Sequence, residues 1–372
     1  AFYFSCALYA FEYTAENNVL KMQDQLMKSV GRETAHEIQN TASFLNTLDT
    51  CADRAVEKGR LTLQRWFRSH PLGFLLPWDT HTRIINVDVD SVKVLGSSSR
   101  PMVIPLITER GDVYRVLYKQ EDVRSDMVSM IVGRLVQDIC YEHCEVFTYH
   151  VHPISPVSGV IEMVKGTTLY DIIHTRESNL INYLMETNPR LTVTDLRRRF
   201  MRSCVGACVL AWIMGVGDRH LENLMVTSEG AQLFHIDFSY ILGDDPKHVY
   251  QPIRLTSDMV DALGGRSSQA FVEFQEQCVK VFTIVRALPR LWHVCLDLLT
   301  HIHANVSRQR IMEHVNQRFV PGEIDSEQAS RVIKIVQTAS GTSWLTMFAD
   351  WTHSTRNVLH SFVKNPLIFS ME

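Results

Sequence analysis

The 372-residue chain has no CxxC pair and no internal repeat. It also has no basic run longer than Arg197-Arg198-Arg199 and no apolar run near the roughly 20 residues that span a bilayer. Each absence removes a class of protein. With a net charge of −4 there is no global positive field, so no nucleic-acid partner is expected. The eight cysteines are scattered; Cys140/Cys144 and Cys204/Cys208 sit four apart, a spacing that puts each pair on one helix face. They read as buried thiols of a reduced, intracellular protein rather than as disulfides or zinc ligands. Residues 1–13 lack the charged start of a signal peptide and are rich in aromatics, as in a piece that packs on something. The chain begins with Ala1, not Met, which points to a chain that is processed, trimmed or part of something longer. His150-x-His152 and His301-x-His303 have no third ligand at metal spacing.

What is present is an ordinary globular composition, 45% hydrophobic and 21% charged. Residues 15–70 are helical in composition, and Pro71, Gly73 and Pro77 interrupt the pattern. Short apolar runs follow: IINVDV, SVKVL, MVIPLI and VYRVLY, separated by turn residues, which predicts an antiparallel sheet. Met127, Ile131, Leu135 and Ile139 recur every four residues and predict a helix over 122–139. Residues 145–165 return to strands, and beyond Gly166 the pattern is mostly helical. Met201, Cys204, Val205, Cys208, Val209, Trp212 and Ile213 form a full apolar stripe, so that helix is expected to be buried. The organisation predicts two lobes with a cleft near 162–166, a favoured place for a ligand.

The chemistry concentrates in one stretch, Gly215-Val-Gly-Asp-Arg-His-Leu-Glu-Asn-Leu-Met-Val followed by Leu233-Phe-His-Ile-Asp-Phe238. The two apolar runs flank a turn at Ser228-Glu229-Gly230, which predicts a hairpin. Asn223 and Asp237 are equally far from Gly230, so they are expected to face each other at its open end. An amide oxygen beside a carboxylate is a hard ligand pair suited to Mg²⁺, which takes the rest of its shell from water and substrate phosphates. Asp218 and His220 lie just upstream, and either is suited to take a proton from an attacking hydroxyl.

These residues resemble the catalytic and metal-binding loops of the phosphatidylinositol 3-kinase and 4-kinase superfamily, which also includes related large protein kinases. The family pattern is Gly-x-Gly-Asp-Arg-His-x-x-Asn followed by Asp-Phe-Gly. The resemblance runs over roughly residues 75–370. It implies an α+β, bilobed, protein-kinase-like fold. An N-terminal helical extension would occupy 1–74, a small β-rich N-lobe 75–165, and a large helical C-lobe 166–372 with a C-terminal amphipathic helix. The implied cofactors are ATP and Mg²⁺ or Mn²⁺.

Lys119 resembles the family lysine that reaches the ATP phosphates, with Asp126 as the acid that orients it and Glu121 and Asp122 as alternatives, because the stretch is one residue short. Gly96 to Pro101 resembles the phosphate loop, where Ser97 and Ser98 would bind phosphate oxygens. Ile161-Glu162-Met163-Val164 resembles the hinge that pairs with adenine through its backbone, Glu162 and Val164 being the contact positions. The family glycine after Asp-Phe is Ser239 here, and a φ > 0 at that position would strain a serine.

Tyr240-Ile-Leu-Gly-Asp-Asp-Pro-Lys and the later Met259-Val-Asp-Ala-Leu-Gly-Gly are most similar to class III phosphatidylinositol 3-kinases. The implied reaction is transfer of the ATP γ-phosphoryl group to the 3-hydroxyl of phosphatidylinositol. Lys247, His248 and Arg254 would face the headgroup, with Asp244 and Asp245 opposing them. That is too little positive charge for a headgroup with extra phosphates. Val358, Leu359, Phe362 and Val363 form a helical stripe suited either to a headgroup layer or to packing on the C-lobe. The expected location is cytoplasmic and peripheral to a membrane, with phosphatidylinositol and a regulatory subunit as partners. The rival readings are a protein Ser/Thr kinase with the same ATP machinery and a catalytically weak scaffold.

Overall fold

The computed structural model describes residues 27–52, 56–96, 100–246, 253–303 and 306–340. Residues 1–13, Ser97, Ser98, Lys247, His248 and the apolar stripe at 358–363 lie outside the described residues. The chain divides into two compact units. One takes in the chain up to Met130 together with Tyr149–Val164; the other comprises Ile131–Thr148 and the chain from Lys165 onward.

In the first unit, α1 (Arg32–Ala52) and α2 (Val56–Ser69) precede the strands β1 (Phe74–Leu76), β2 (Asp79–Val87), β3 (Lys93–Val94), β4 (Met102–Thr108) and β5 (Val113–Lys119). After α3 (Arg124–Cys140), which starts in this unit and ends in the other, come β6 (Val151–Ser155) and β7 (Ser158–Glu162). They form a seven-stranded antiparallel sheet in the order β1-β2-β4-β5-β7-β6, with β3 paired to β4. The β4 strand is buried almost throughout because it lies in mid-sheet.

The helices ahead of the strands share the sheet's core. Phe44, Leu48, Leu63, Trp66 and Phe67 are buried with Phe74, Ile104 and Val116. Phe44 stacks on Phe74 at 4.1 Å between ring centroids. The Tyr118 hydroxyl donates to Asp49 at 2.8 Å, which pins the end of β5 to α1 one residue before Lys119.

The second unit holds β8 (Gly166–Thr168), α4 (Leu180–Thr187), α5 (Val193–Met214), β9 (Leu224–Thr227), β10 (Leu233–His235), α6 (Ser257–Ala262), α7 (Gln269–Arg286), α8 (Pro289–Asp297), α9 (Arg308–Phe319) and α10 (Asp325–Ala339). The α5 helix starts at Thr192, whose hydroxyl accepts from the Asp195 amide, and its apolar stripe is buried as the spacing predicts. A small antiparallel sheet, β10-β9-β8, adds a strand that the hairpin pattern did not announce. The cysteines Cys51, Cys140, Cys144, Cys204, Cys208, Cys278 and Cys295 are all free and buried. No described helix is long and apolar enough to cross a membrane.

Candidate active site

The polar loop begins where α5 stops. Gly215 turns left-handed at φ 62°, a conformation glycine takes without a Cβ penalty, and so ends the helix. The following residues fold back on themselves. The His220 amide donates to the Asp218 carbonyl at 3.1 Å, and the Asn223 amide to the His220 carbonyl at 3.0 Å. The Asn223 side-chain Nδ2 also donates to the Asp218 carbonyl, at 3.0 Å. With its nitrogen spent on the loop, the amide's other end, the oxygen, is the one suited to a cation. The buried His220 ring lies between two carboxylates: Nε2 is 3.7 Å from Asp218 Oδ2, and Nδ1 is 4.0 Å from Glu222 Oε2.

The hairpin forms, with a register one residue away from the symmetric expectation. Leu233 pairs with Val226, Phe234 with Met225 and His235 with Leu224. The turn is therefore centred between Glu229 and Gly230, closed by the Thr227 amide on the Gln232 carbonyl at 2.9 Å, with Gly230 and Ala231 both at φ > 0. Asn223 consequently meets Ile236, whose amide donates to its carbonyl at 3.1 Å, and Asp237 is the next residue along. The backbone there is left-handed at Asp237, φ 61°, not at Ser239. Ser239 is thus free of the expected strain, and it does something a glycine cannot. Its hydroxyl donates to Asp237 Oδ1 at 2.6 Å, and its amide to the same oxygen at 3.2 Å.

Sequence reasoning assigned no role to Arg219, which braces the whole arrangement. Its Nε donates to the Gly217 carbonyl and its Nη1 to the Ile236 carbonyl, both at 2.8 Å, while Nη2 donates to the Asp237 carbonyl. The guanidinium also lies 5.5 Å from the ring of the buried Phe238. Arg219 lies inside the Gly-Asp-Arg-His run, so position was the available signal. The neighbouring His235 is held neutral, its pKa pushed down to about 3 by burial and by the Arg219 charge.

In the first unit, Lys119 ends β5 and is ion-paired with Glu121, one of the alternatives named for orienting it. Asp122 turns instead to Arg124, at 2.7 and 2.8 Å. Asp126 is buried in the first turn of α3. At the end of β7, the Glu162 amide donates to the His150 carbonyl and the Met163 amide to the Arg115 carbonyl. The Val164 amide makes no such bond among the described residues. Arg254 is buried. Both acids set against the headgroup cations have other partners: Asp244 pairs with Arg310 at 2.8 Å, and Asp245 Oδ2 accepts from the Asp218 amide at 3.0 Å. A cavity of about 560 Å³ is lined by residues from Ser239 to Pro246 with His303 and Val306.

Residues 113–305 match the family model of the phosphatidylinositol 3- and 4-kinases. The chain belongs to that family. Similar proteins include the phosphatidylinositol 3-kinase pik3 of Schizosaccharomyces pombe, 28% identical over 66% of this chain and 32% of its own length. The VPS34 phosphatidylinositol 3-kinase of Saccharomyces cerevisiae is 32% identical over 57% of this chain and 25% of its own length. That of Arabidopsis thaliana is 34% identical over 48% of this chain and 23% of its own length. The chain therefore spans about a third or less of these relatives. The matched region includes Lys119, Asp218, His220, Asn223 and Asp237, and leaves out Ser97 and Ser98.

Membership in the family implies ATP and a divalent metal. An amide oxygen from Asn223 and a carboxylate from Asp237 fit a hard ion such as Mg²⁺ or Mn²⁺. Among the described residues no three His, Cys, Asp or Glu form a cluster that could hold a metal ion by themselves. The Arg219→Ala variant leaves the carbonyls of Gly217, Ile236 and Asp237 without this donor. It is expected to lose about 2–3 kcal/mol of stability by urea denaturation. An unchanged midpoint would mean that the clamp contributes nothing.

Proposed function

We propose that the chain is a lipid kinase transferring the γ-phosphoryl group of ATP to the 3-hydroxyl of phosphatidylinositol at a membrane surface. The observation that carries this reading is the Arg219 brace, which links the loop bearing Asp218 and His220 to the strand end bearing Asp237. Reactions of this type depend on positioning and on charge stabilisation more than on covalent chemistry. Asn223 and Asp237 would hold the divalent ion, which when bound neutralises charge on the β- and γ-phosphates. Asp218 orients or deprotonates the acceptor hydroxyl. His220 shares that work or steadies the charge on the transferring group.

Lys119, oriented by Glu121 or Asp126, draws the phosphates in together with Ser97 and Ser98. The Val164 amide, which has no backbone partner among the described residues, is consistent with a hinge role in which the backbone of Glu162 and Val164 pairs with adenine. The names of the relatives support phosphatidylinositol as the acceptor. Lys247, His248 and Arg254 would contact its headgroup, and the scarcity of further cations in that stretch favours the unphosphorylated ring. This reading takes 1–74 as a helical extension that offers a surface to a regulatory subunit, 75–165 as N-lobe and 166–372 as C-lobe. It makes the protein cytoplasmic and peripheral to the membrane.

Labelled ATP offered with vesicles of plain phosphatidylinositol, vesicles of its bisphosphate, or Ser/Thr peptides separates the readings. Plain phosphatidylinositol is expected to be labelled, with the product chromatographing as the 3-phosphate and the bisphosphate turned over at least ~10-fold more slowly. Label in peptide alone would make the protein a Ser/Thr kinase. Label in no acceptor would make it a scaffold.

A further inference from the structure

We propose that Asp245 is a positioning residue for Asp218, an inference that rests on reading Asp218 as the group facing the acceptor hydroxyl. Asp218 adopts φ 48°, a left-handed conformation that non-glycine residues hold only when the surroundings enforce it. Its amide donates to Asp245 Oδ2 at 3.0 Å, a charge-assisted bond.

The supporting shell is built from backbone. The Leu242 amide donates to the Met214 carbonyl at 2.7 Å, the Gly243 amide to the Gly215 carbonyl at 2.8 Å, and the Gly217 amide to the Tyr240 carbonyl at 2.9 Å. The two main chains touch: a Cβ at Gly217 would stand 2.0 Å from the Asp244 carbonyl oxygen and 3.2 Å from the Asp245 Cα. The strand of chain from Tyr240 to Asp245 is thus laid along the loop from Met214 to Asp218. The Arg310 guanidinium of α9 anchors Asp244 at 2.8 Å. The backbone bonds fix where Asp245 sits, and its carboxylate fixes how Asp218 turns. Asp245 also stands two residues ahead of Lys247, so the segment proposed to meet the headgroup is the one that sets the Asp218 backbone.

The carboxylate acts as an acceptor at a set distance. An amide oxygen of the same reach should replace it, a shorter hydroxyl should replace it poorly, and a methyl group not at all. The experiment measures kcat and the KM for ATP on phosphatidylinositol vesicles for the full chain and for Asp245→Asn, Asp245→Ser, Asp245→Ala and Asp218→Ala. Hydrogen exchange over residues 215–220 is read by mass spectrometry in the same samples. Displacement of a catalytic group by about 1 Å can cost ~10²-fold. Asp245→Ala is therefore expected to lose ~10–100-fold in kcat, with KM for ATP unchanged and exchange over 215–220 accelerated. Asp245→Ser should fall between Ala and wild type, and supplies the comparison if the alanine variant does not fold. Asp245→Asn should recover most of the rate and the protection.

The inference is overturned if Asp245→Ala or Asp245→Ser turns over like wild type. It is equally overturned if the asparagine variant is as impaired as the others, because then charge or bulk, not the acceptor oxygen, is what matters. Activity persisting in Asp218→Ala would overturn the underlying reading instead, and that outcome is distinct because it does not depend on any change at Asp245.

Discussion

Asp237→Ala is expected to abolish phosphoryl transfer, with a loss of ~10³-fold or more, while the protein stays folded. The carboxylate is the charged member of the proposed metal pair, and its placement is over-determined. The backbone is left-handed at φ 61°, its carbonyl accepts from Arg219, and its Oδ1 takes two bonds from Ser239. Alanine keeps the contacts at the carbonyl and removes the side-chain oxygens, at a cost of about 1 kcal/mol for its methyl group at φ 61°. Asp237→Asn keeps an oxygen but not the charge and should be nearly as inactive, whereas Asn223→Ala removes a neutral ligand and should lose less. Calorimetry with Mn²⁺ and a non-hydrolysable ATP analogue gives a readout independent of turnover: metal-dependent nucleotide binding should vanish in Asp237→Ala. If that variant labelled lipid within ~10-fold of wild type, no account built on this pair would survive, because removing even one preorganised transition-state donor costs ~10²–10³.

Much of this site could be read from residue order, and the parts that could not have a common cause. The apolar spacing from Met201 to Ile213 reports burial directly, so the helix ending at Met214 is legible. The runs on either side of Gly230 report strands, so the hairpin is legible too. Its register is not. A symmetric count assumes that the turn centres on the glycine, but Thr227 pairs with Gln232, which leaves residues 228–231 in the turn and sets its centre half a residue before Gly230. Arg219 shows the same limit. Its sequence position says nothing about carbonyls at 236 and 237 until the hairpin brings them round.

The acids after Ser239 look from sequence like a charge penalty against the headgroup. In the fold each is spent elsewhere, Asp244 on Arg310 and Asp245 on the Asp218 amide. Local periodicity is written in the chain, whereas pairings between distant segments depend on geometry that a one-residue shift alters. The N-terminal helices make the same point in the opposite direction. Their composition announces helices, yet only the structure reveals that Phe44 and Trp66 help to build the core under the sheet.

Acidification is expected to destabilise the protein well above the pH at which its carboxylates titrate. His152, on β6, and His314, on α9, are buried, and burial pushes each imidazole from its ordinary 6.5 down to about 4, as it pushes His235, on β10, to about 3. At His314 the nearby Arg318 and Arg310 charges add to the effect, while the bond from Nε2 to the Ile213 carbonyl at 2.8 Å acts against it. The sign follows from which state takes the proton. Above about pH 7.5 neither the folded nor the unfolded ring carries appreciable charge, and pH has little effect through them. Between pH 6.5 and 4 the unfolded chain binds protons that the folded one refuses, so stability falls as pH falls.

Each histidine contributes a slope approaching 1.4 kcal/mol per pH unit, or about 2 kcal/mol by pH 5, and the three about 6 kcal/mol. Against a total stability of ~5–15 kcal/mol this is a large fraction. Urea midpoints measured at pH 8.5, 7.5 and 5.0 should hold nearly level over the first interval and drop over the second. His314→Gln keeps a donor for the Ile213 carbonyl and removes one of the three titrations, so its drop should be about two thirds that of the parent. A stability curve flat to pH 5, or a glutamine variant falling as steeply as wild type, would mean that these rings accept protons in the folded state and that the interior around them is wetter than their burial implies.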